Sequence, residues 1–359
     1  MPRSRFAGLL LLVAAACGGE RALPPEPEPI PAALADSVLV KVNDLTSAVW
    51  LGGDRWAVLS VDDALVHLVD FEARSSTPLG LGTTPDLRHP YAIYKQSDTL
   101  FVADWELGRV TAWTRDGTLL RAAVTREQVG AMLPTARDAA GQFFAERAPD
   151  PKADGSGNKD SSAVVRVRGT VFDTVGRLAP LDLSPVSSET GPRFERRLLS
   201  GQDRWGVLPD GTLWIARVYT NRVDWTDAKG TVQKGQLLPD RVLEVTAVDR
   251  ELLLRKFPPD ARSRAEQLPF AAIKPPFEAA WTGADGTVWL EKSRADADTV
   301  RTYQLIDRGG RYVRALFLAG RARVFGEGDG RVLVGERVAT GMLLRRAPLP
   351  APTAVPPAR

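Results

Sequence analysis

One cysteine and two histidines stand among 359 residues, and these shortages exclude a good deal. A lone cysteine closes no internal disulfide, so neither a disulfide framework nor a Cys-rich zinc site is available. The thiol lies at position 17, ahead of any folding pattern, which leaves no thiol nucleophile in the body of the chain. His67 and His89 fall in different segments and read as packing or surface residues rather than a ligand pair. The HExxH, phosphate-loop and Gly-x-Ser-x-Gly patterns are missing. Asp154 to Asp160, "DGSGNKD", lacks the ligand alternation and terminal glutamate of an EF-hand and reads as a solvated loop. Long apolar runs are scarce too: Phe6 to Ala16 spans eleven residues, too few for a stable membrane anchor. A surplus of one charge is also lacking. Lys and Arg number 47 against 44 acids, a balance that gives no reason to expect nucleic-acid binding.

What is present begins at the amino end. Arg3 and Arg5 precede the apolar run, which ends in "VAAAC" at Cys17. This has the form of a secretory signal over residues 1–16, and its end resembles a bacterial lipobox, with Ala14 where leucine is usual. The resemblance implies cleavage before Cys17 and lipidation there, giving the exported cysteine a purpose that an ordinary signal peptide would not. Gly18 rather than aspartate after it favours the outer membrane of a bacterial envelope. Residues 17–36, rich in Pro and Glu, read as an extended lipidated tether, and 350–359 as a disordered Pro/Ala tail.

Between these ends one pattern recurs: a Gly or Asp turn, a strand with a large residue at its centre, a polar loop and a second strand. Its copies begin at Gly53, Ser97, Ala140, Asp210, Asp285 and Asp329, separated by 44, 43, 70, 75 and 44 residues. A period near 44 with several strands per unit predicts a β-propeller of six four-stranded blades over 37–349, an all-β fold. The two long intervals hold insertions. Pro149 to Ser162 and the later "SPVSSETGPRFERR" read as loop. Residues 241–268 carry helical spacing broken by Pro258 and Pro259 and predict a short helical insertion. The last unit supplies three strands, and Ser37 to Asn43 supplies the fourth, closing the ring. Phe101, Phe144, Trp214 and Trp289 share one register, which assigns them to packing between blades.

"LFVADWELGRVTAWTRDGTLL" resembles an NHL-type repeat through Ala103, Asp104, Arg109, Val110, Trp113, Asp116 and Gly117. "LWIARVYTNRVDWTDAKGT" repeats it through Asn221, Arg222, Val223 and Trp225, with Arg217 in the aspartate position. The other units are degenerate. The resemblance, to NHL-repeat and TolB-like propellers, implies the six-bladed fold of many exported bacterial proteins.

Counting seven residues from each start gives Ser60, Asp104, Arg147, Arg217, Lys292 and Glu336, all expected at one face. Three consecutive units then present a basic arc. Loops leading into the blades are expected to add Arg88, His89, Arg137, Arg204, Lys274 and Arg321. Cations around a concave mouth suit a small anionic or sugar-like ligand or an acidic surface of a protein partner. The expectation is a binding module, tethered to a membrane by its lipid, with no cofactor and no resident metal. One alternative is a lactonase- or lyase-like enzyme at the mouth, with Asp62, Asp63, Asp104 and Glu336 as candidate metal carboxylates opposed by the neighbouring cations. Another is a structural component of the envelope.

Overall fold

The computed structural model describes residues 26–31, 36–80, 86–129, 132–149, 152, 156–188 and 191–351. Cys17, the signal segment and the end of the tail lie outside them. Six four-stranded antiparallel sheets form a ring, a six-bladed β-propeller. Strands are named a to d from the axis outward. Blade 1 comprises Ser47–Gly52, Arg55–Ser60, Leu65–Asp70 and Ser75–Pro78. Blade 2 comprises Pro90–Gln96, Thr99–Asp104, Arg109–Thr114 and Leu119–Val124. Blade 3 has Ala136–Arg137, Phe143–Arg147, Ala163–Arg168 and Val171–Arg177, and blade 4 has Arg204–Val207, Leu213–Arg217, Arg222–Thr226 and Val232–Gln233. Blade 5 has Phe277–Thr282, Val288–Lys292, Val300–Ile306 and Tyr312–Ala319. Blade 6 takes a, b and c from Arg323–Gly328, Arg331–Val338 and Gly341–Pro348, and d from Ser37–Val40.

The repeated turn joins strand a to strand b. In "DGT" at both 210 and 285 the aspartate Oδ1 accepts the N–H of the threonine two residues on, at 3.0 and 2.8 Å. The glycine between them takes φ +83° in each, a conformation side chains disfavour. Alternation then sends one face of every strand toward each neighbouring blade.

Six apolar cores result, one at each seam. Of the shared register, Phe101, Trp214 and Trp289 belong to three of these cores. Phe101, Phe144, Trp214 and Trp289 are all buried, and Trp214 Nε1 donates across the seam to Thr282 Oγ1 of blade 5 at 2.8 Å. Among the described residues the core between blades 3 and 4 is the smallest, with four buried residues, Val164, Leu178, Leu213 and Ile215, where the seam of blades 1 and 6 has twelve.

Ring closure pairs Ser37 with Arg345 and Val40 with Met342. Arg346 fastens it: its Nε donates to Asp36 at 3.0 Å, its Nη1 reaches Asp54 in the a–b turn of blade 1, and its guanidinium lies 4.7 Å above Phe71.

Three features depart from the sequence reading. The tether is docked in part: Glu28–Pro29 runs parallel to the outer strand of blade 5, and Ile30 is buried in the core of blades 5 and 6. An edge strand tolerates proline because its outward side needs no N–H. The segment read as loop after blade 3 forms a hairpin, Leu183–Ser188 with Gly191–Arg196, outside the blades. Its alternation was masked by Ser, Pro and Arg, and Phe194 lies under Lys159 at 3.5 Å. A one-turn helix, Arg126–Val129, joins blades 2 and 3. The helical insertion comprises Ala247–Leu254, closed by a capping box of Thr246 and Asp249, and Pro259–Glu266, which starts at its proline.

Candidate functional site

Strand a begins, and strand b ends, on the same face, because the two are antiparallel. Lead-in loops and b–c turns therefore crown one side of the ring. Ser60, Asp104, Arg147, Arg217 and Lys292 each end strand b of their blade there; Glu336 lies two residues before the end of its strand.

Several of the candidates hold this crown together. Asp104 is fully buried, and its carboxylate accepts the N–H groups of Arg88 at 2.6 Å, His89 at 3.0 Å and Leu107 at 2.9 Å. It thus staples the lead-in loop of blade 2 to its b–c turn. Asp203 does the same in blade 4, accepting from Ala179 and Val218 N–H groups at 2.9 Å each and from Arg217 Nη1 at 2.9 Å. Asp63 serves blade 1 with Asn43 N–H at 2.7 Å and Ser60 Oγ at 2.6 Å. Burial opposes ionisation of Asp63, but the hydrogen bonds from Ser60 and Asn43 outweigh it and hold its carboxyl below the usual range.

Arg217 also donates to Asp224 at 3.0 Å and to the Arg177 carbonyl at 2.7 Å. Lys274 sits 2.5 Å from Asp249 and donates to the Arg294 carbonyl, anchoring the helical insertion. Lys292 is buried, 3.0 Å from Asp240; burial lowers its pKa and Asp240 opposes that shift. Glu336 faces Arg345 at 3.7 Å. Arg137 lies at the opposite end of its blade, paired with Phe143 beside the a–b turn, where Nη1 donates to Gln96 and the guanidinium covers Phe101 and Phe143. The expectation that it joins the crown is corrected: strand a of blade 3 is two residues long, so Arg137 is already at its far end.

The remaining cations reach solvent. Arg147 is exposed, with a 3.5 Å contact to Thr174 Oγ1, and Arg321 is exposed. Arg88 meets Glu106 at 3.3 Å beside the exposed His89. Arg204, at the start of strand a in blade 4, is open to water yet walled by protein. That enclosure, and then Arg196 and Arg323 nearby, lower its pKa, against Glu146. Its nearest acceptor is the Glu278 carbonyl at 3.5 Å.

Two aromatic residues on this face were not singled out in the sequence. Trp105 follows Asp104 in the b–c turn of blade 2, and Tyr219 stands in that of blade 4; each is 59% exposed. Trp105 makes an edge contact with Tyr91, and Tyr219 donates to the Pro180 carbonyl at 3.1 Å. Their signal was a large aromatic in a polar turn, outside the core register. Blades 2 to 4 thus carry an aromatic, two open guanidiniums and a second aromatic in sequence around the crown. Among the described residues no three His, Cys, Asp or Glu side chains converge to hold a metal. Among them, too, no helix is long and apolar enough to cross a membrane.

No protein-family model and no curated protein matches the sequence. Solved structures of similar fold include the calcium-binding protein regucalcin from Agrobacterium tumefaciens, at 10% identity over 88% of this chain and 95% of that one, TM-score 0.43. A gluconolactonase from Xanthomonas campestris shows 13% identity over 90% and 96%, TM-score 0.43. Virginiamycin B lyase from Staphylococcus aureus shows 10% over 84% and 93%, TM-score 0.42.

Proposed function

We propose that this propeller is an exported binding module, tethered to the bacterial envelope through a lipid on Cys17, whose crown over blades 2 to 4 takes an anionic ligand or an acidic surface of a partner. The observation that carries the reading is the row Trp105, Arg147, Arg204 and Tyr219, in which both rings are exposed and, among the described residues, neither guanidinium has a carboxylate within ion-pair distance. Such rings offer stacking area at small entropic cost, and an open guanidinium seeks a planar anion. The binding surface is narrower than the sequence arc, since Arg217, Lys274 and Lys292 already face carboxylates. The docked strand at Glu28 leaves ten residues between itself and Cys17, so an outstretched tether holds the flank of blade 5 within about 40 Å of the lipid.

The test uses protein beginning at Cys17, with that residue replaced by serine, titrated with a short poly-glutamate peptide at low and high salt. Binding that weakens with salt, falls at least about tenfold in Arg147→Ala/Arg204→Ala and weakens in Trp105→Ala supports the reading. Binding that ignores both variants, or no binding at low salt, contradicts it. Arg217 and Lys292 are left intact in this test, because removing either strands a buried carboxylate or empties a packed site.

A further inference from the structure

A second concave site lies away from the axis, on the flank of blade 5. It is a cavity of about 380 Å³ walled by strands b, c and d of that blade, by the segment 239–241 that leaves blade 4, and by Pro27 of the docked amino-terminal strand. Small-molecule sites run from roughly 300 to 1,000 Å³, so this one fits a single ring or a short acyclic molecule.

Its lining is built for polar contact and left incomplete. Strand c alternates: Tyr303 and Leu305 enter the core with blade 6, which turns Thr302 and Gln304 the other way, toward Pro239. Gln304 is 7% exposed, and its Nε2 donates to the Pro239 carbonyl at 3.0 Å. With the amide orientation fixed, Oε1 is left as a buried acceptor that has no protein donor. Two more residues of the lining, Ser293 and Arg294, likewise carry buried polar atoms, Oγ and Nε, without a partner. A buried polar atom without a partner costs free energy unless something from outside completes it, and three around one cavity mark a ligand's contacts.

The charges define the ligand further. Lys292 faces Asp240 at 3.0 Å, and Arg241 pairs with Asp298, so these four largely satisfy one another. Arg294 has no ion pair of its own among the described residues, sharing Asp298 with Arg241 only at longer range, and the lining carries three cations against two carboxylates. The site therefore asks for one anionic group against Arg294 and hydroxyls that donate to Gln304 Oε1 and exchange hydrogen bonds with Ser293 Oγ. A ligand ammonium in place of a hydroxyl would meet surplus positive charge.

We propose that this cavity is a binding site for a small hydroxylated monocarboxylate, a sugar acid in size and chemistry, held by Arg294, Ser293 and Gln304. The site lies apart from the row on blades 2 to 4 and does not rest on the reading given for it.

The experiment is calorimetric titration of protein beginning at Cys17→Ser with D-glucuronate, beside neutral D-glucose and cationic D-glucosamine. Saturable glucuronate binding, with the other two at least about tenfold weaker, is expected. Arg294→Gln should weaken it about tenfold or more and Ser293→Ala by a smaller factor, with melting temperatures unchanged because neither side chain has a protein partner at these atoms. Arg147→Ala/Arg204→Ala should leave it intact, which separates this site from the row on blades 2 to 4. Absence of glucuronate binding, equal binding of glucose, or binding insensitive to both Arg294→Gln and Ser293→Ala would overturn the proposal.

Discussion

At the scale of single residues, the carboxylates show how one residue type serves different ends. Asp63, Asp104 and Asp203 each close a lead-in loop onto a b–c turn, because a carboxylate accepts several N–H or O–H groups at once and so satisfies a turn that the strands cannot. His67 illustrates a residue whose chemistry is muted by position. It is 5% exposed, Nδ1 meets Ser76 Oγ at 2.8 Å, and Nε2 is buried with no protein partner. Burial lowers its pKa, with the Asp63 charge opposing. The sign follows directly. As pH falls through the imidazole's ordinary value of 6.5, the unfolded chain takes up a proton that the folded chain resists, and stability declines; above that value His67 adds no pH dependence. Urea unfolding at pH 7.5 and 5.5 should show a loss on acidification that is smaller in His67→Gln. An equal loss in the variant would assign it to the carboxylates alone.

At the scale of elements, strand d of blade 6 comes from the other end of the chain. Leu344 on its partner is fully buried in the core of blades 6 and 1. Leu344→Ala should cost about 2–5 kcal/mol in denaturant unfolding, and a chain starting at Leu45, which lacks strand d and Asp36, should fail to give a cooperative transition. A cooperative transition in the shortened chain would mean that three strands suffice for the last blade. Much at this scale was legible beforehand. The register of Phe101, Phe144, Trp214 and Trp289, the Asp-Gly turns and the closing strand follow from alternation and turn chemistry, which are local. The hairpin at 183–196 and the docking of Glu28–Pro29 were hidden because tertiary pairing overrides weak local propensity in Pro- and Ser-rich segments. The site was less legible still. Counting from the turns put Arg217, Lys292 and Asp104 on the correct face, but charge partners are set by neighbouring strands and by the segments that link blades. Asp203 and Asp240 answer those cations from 14 and 52 residues away in sequence. Gln304 had a faint signal, a polar residue between the apolar Tyr303 and Leu305 in "TYQLI".

At the scale of the whole molecule, six cores of unequal size sit in series around a closed ring. Local opening draws on the core with the fewest buried apolar residues, which among the described residues lies between blades 3 and 4. Amide hydrogen exchange followed by mass spectrometry should therefore show earliest exchange in Ala163–Arg168 and Leu213–Arg217 relative to the matching strands of blades 1 and 6. Uniform exchange around the ring would mean that the blades open only together.

The pairing of Ser37–Val40 with Gly341–Pro348 also sets an order of events in time. Synthesis delivers the chain from its amino end, so the strand that completes the ring precedes every other blade strand and its partner follows them all. Through that interval the early strand has no mate, and blade 6 exists only as an exposed edge on its neighbour. Any factor that guards the nascent propeller must hold this segment until the final strand emerges.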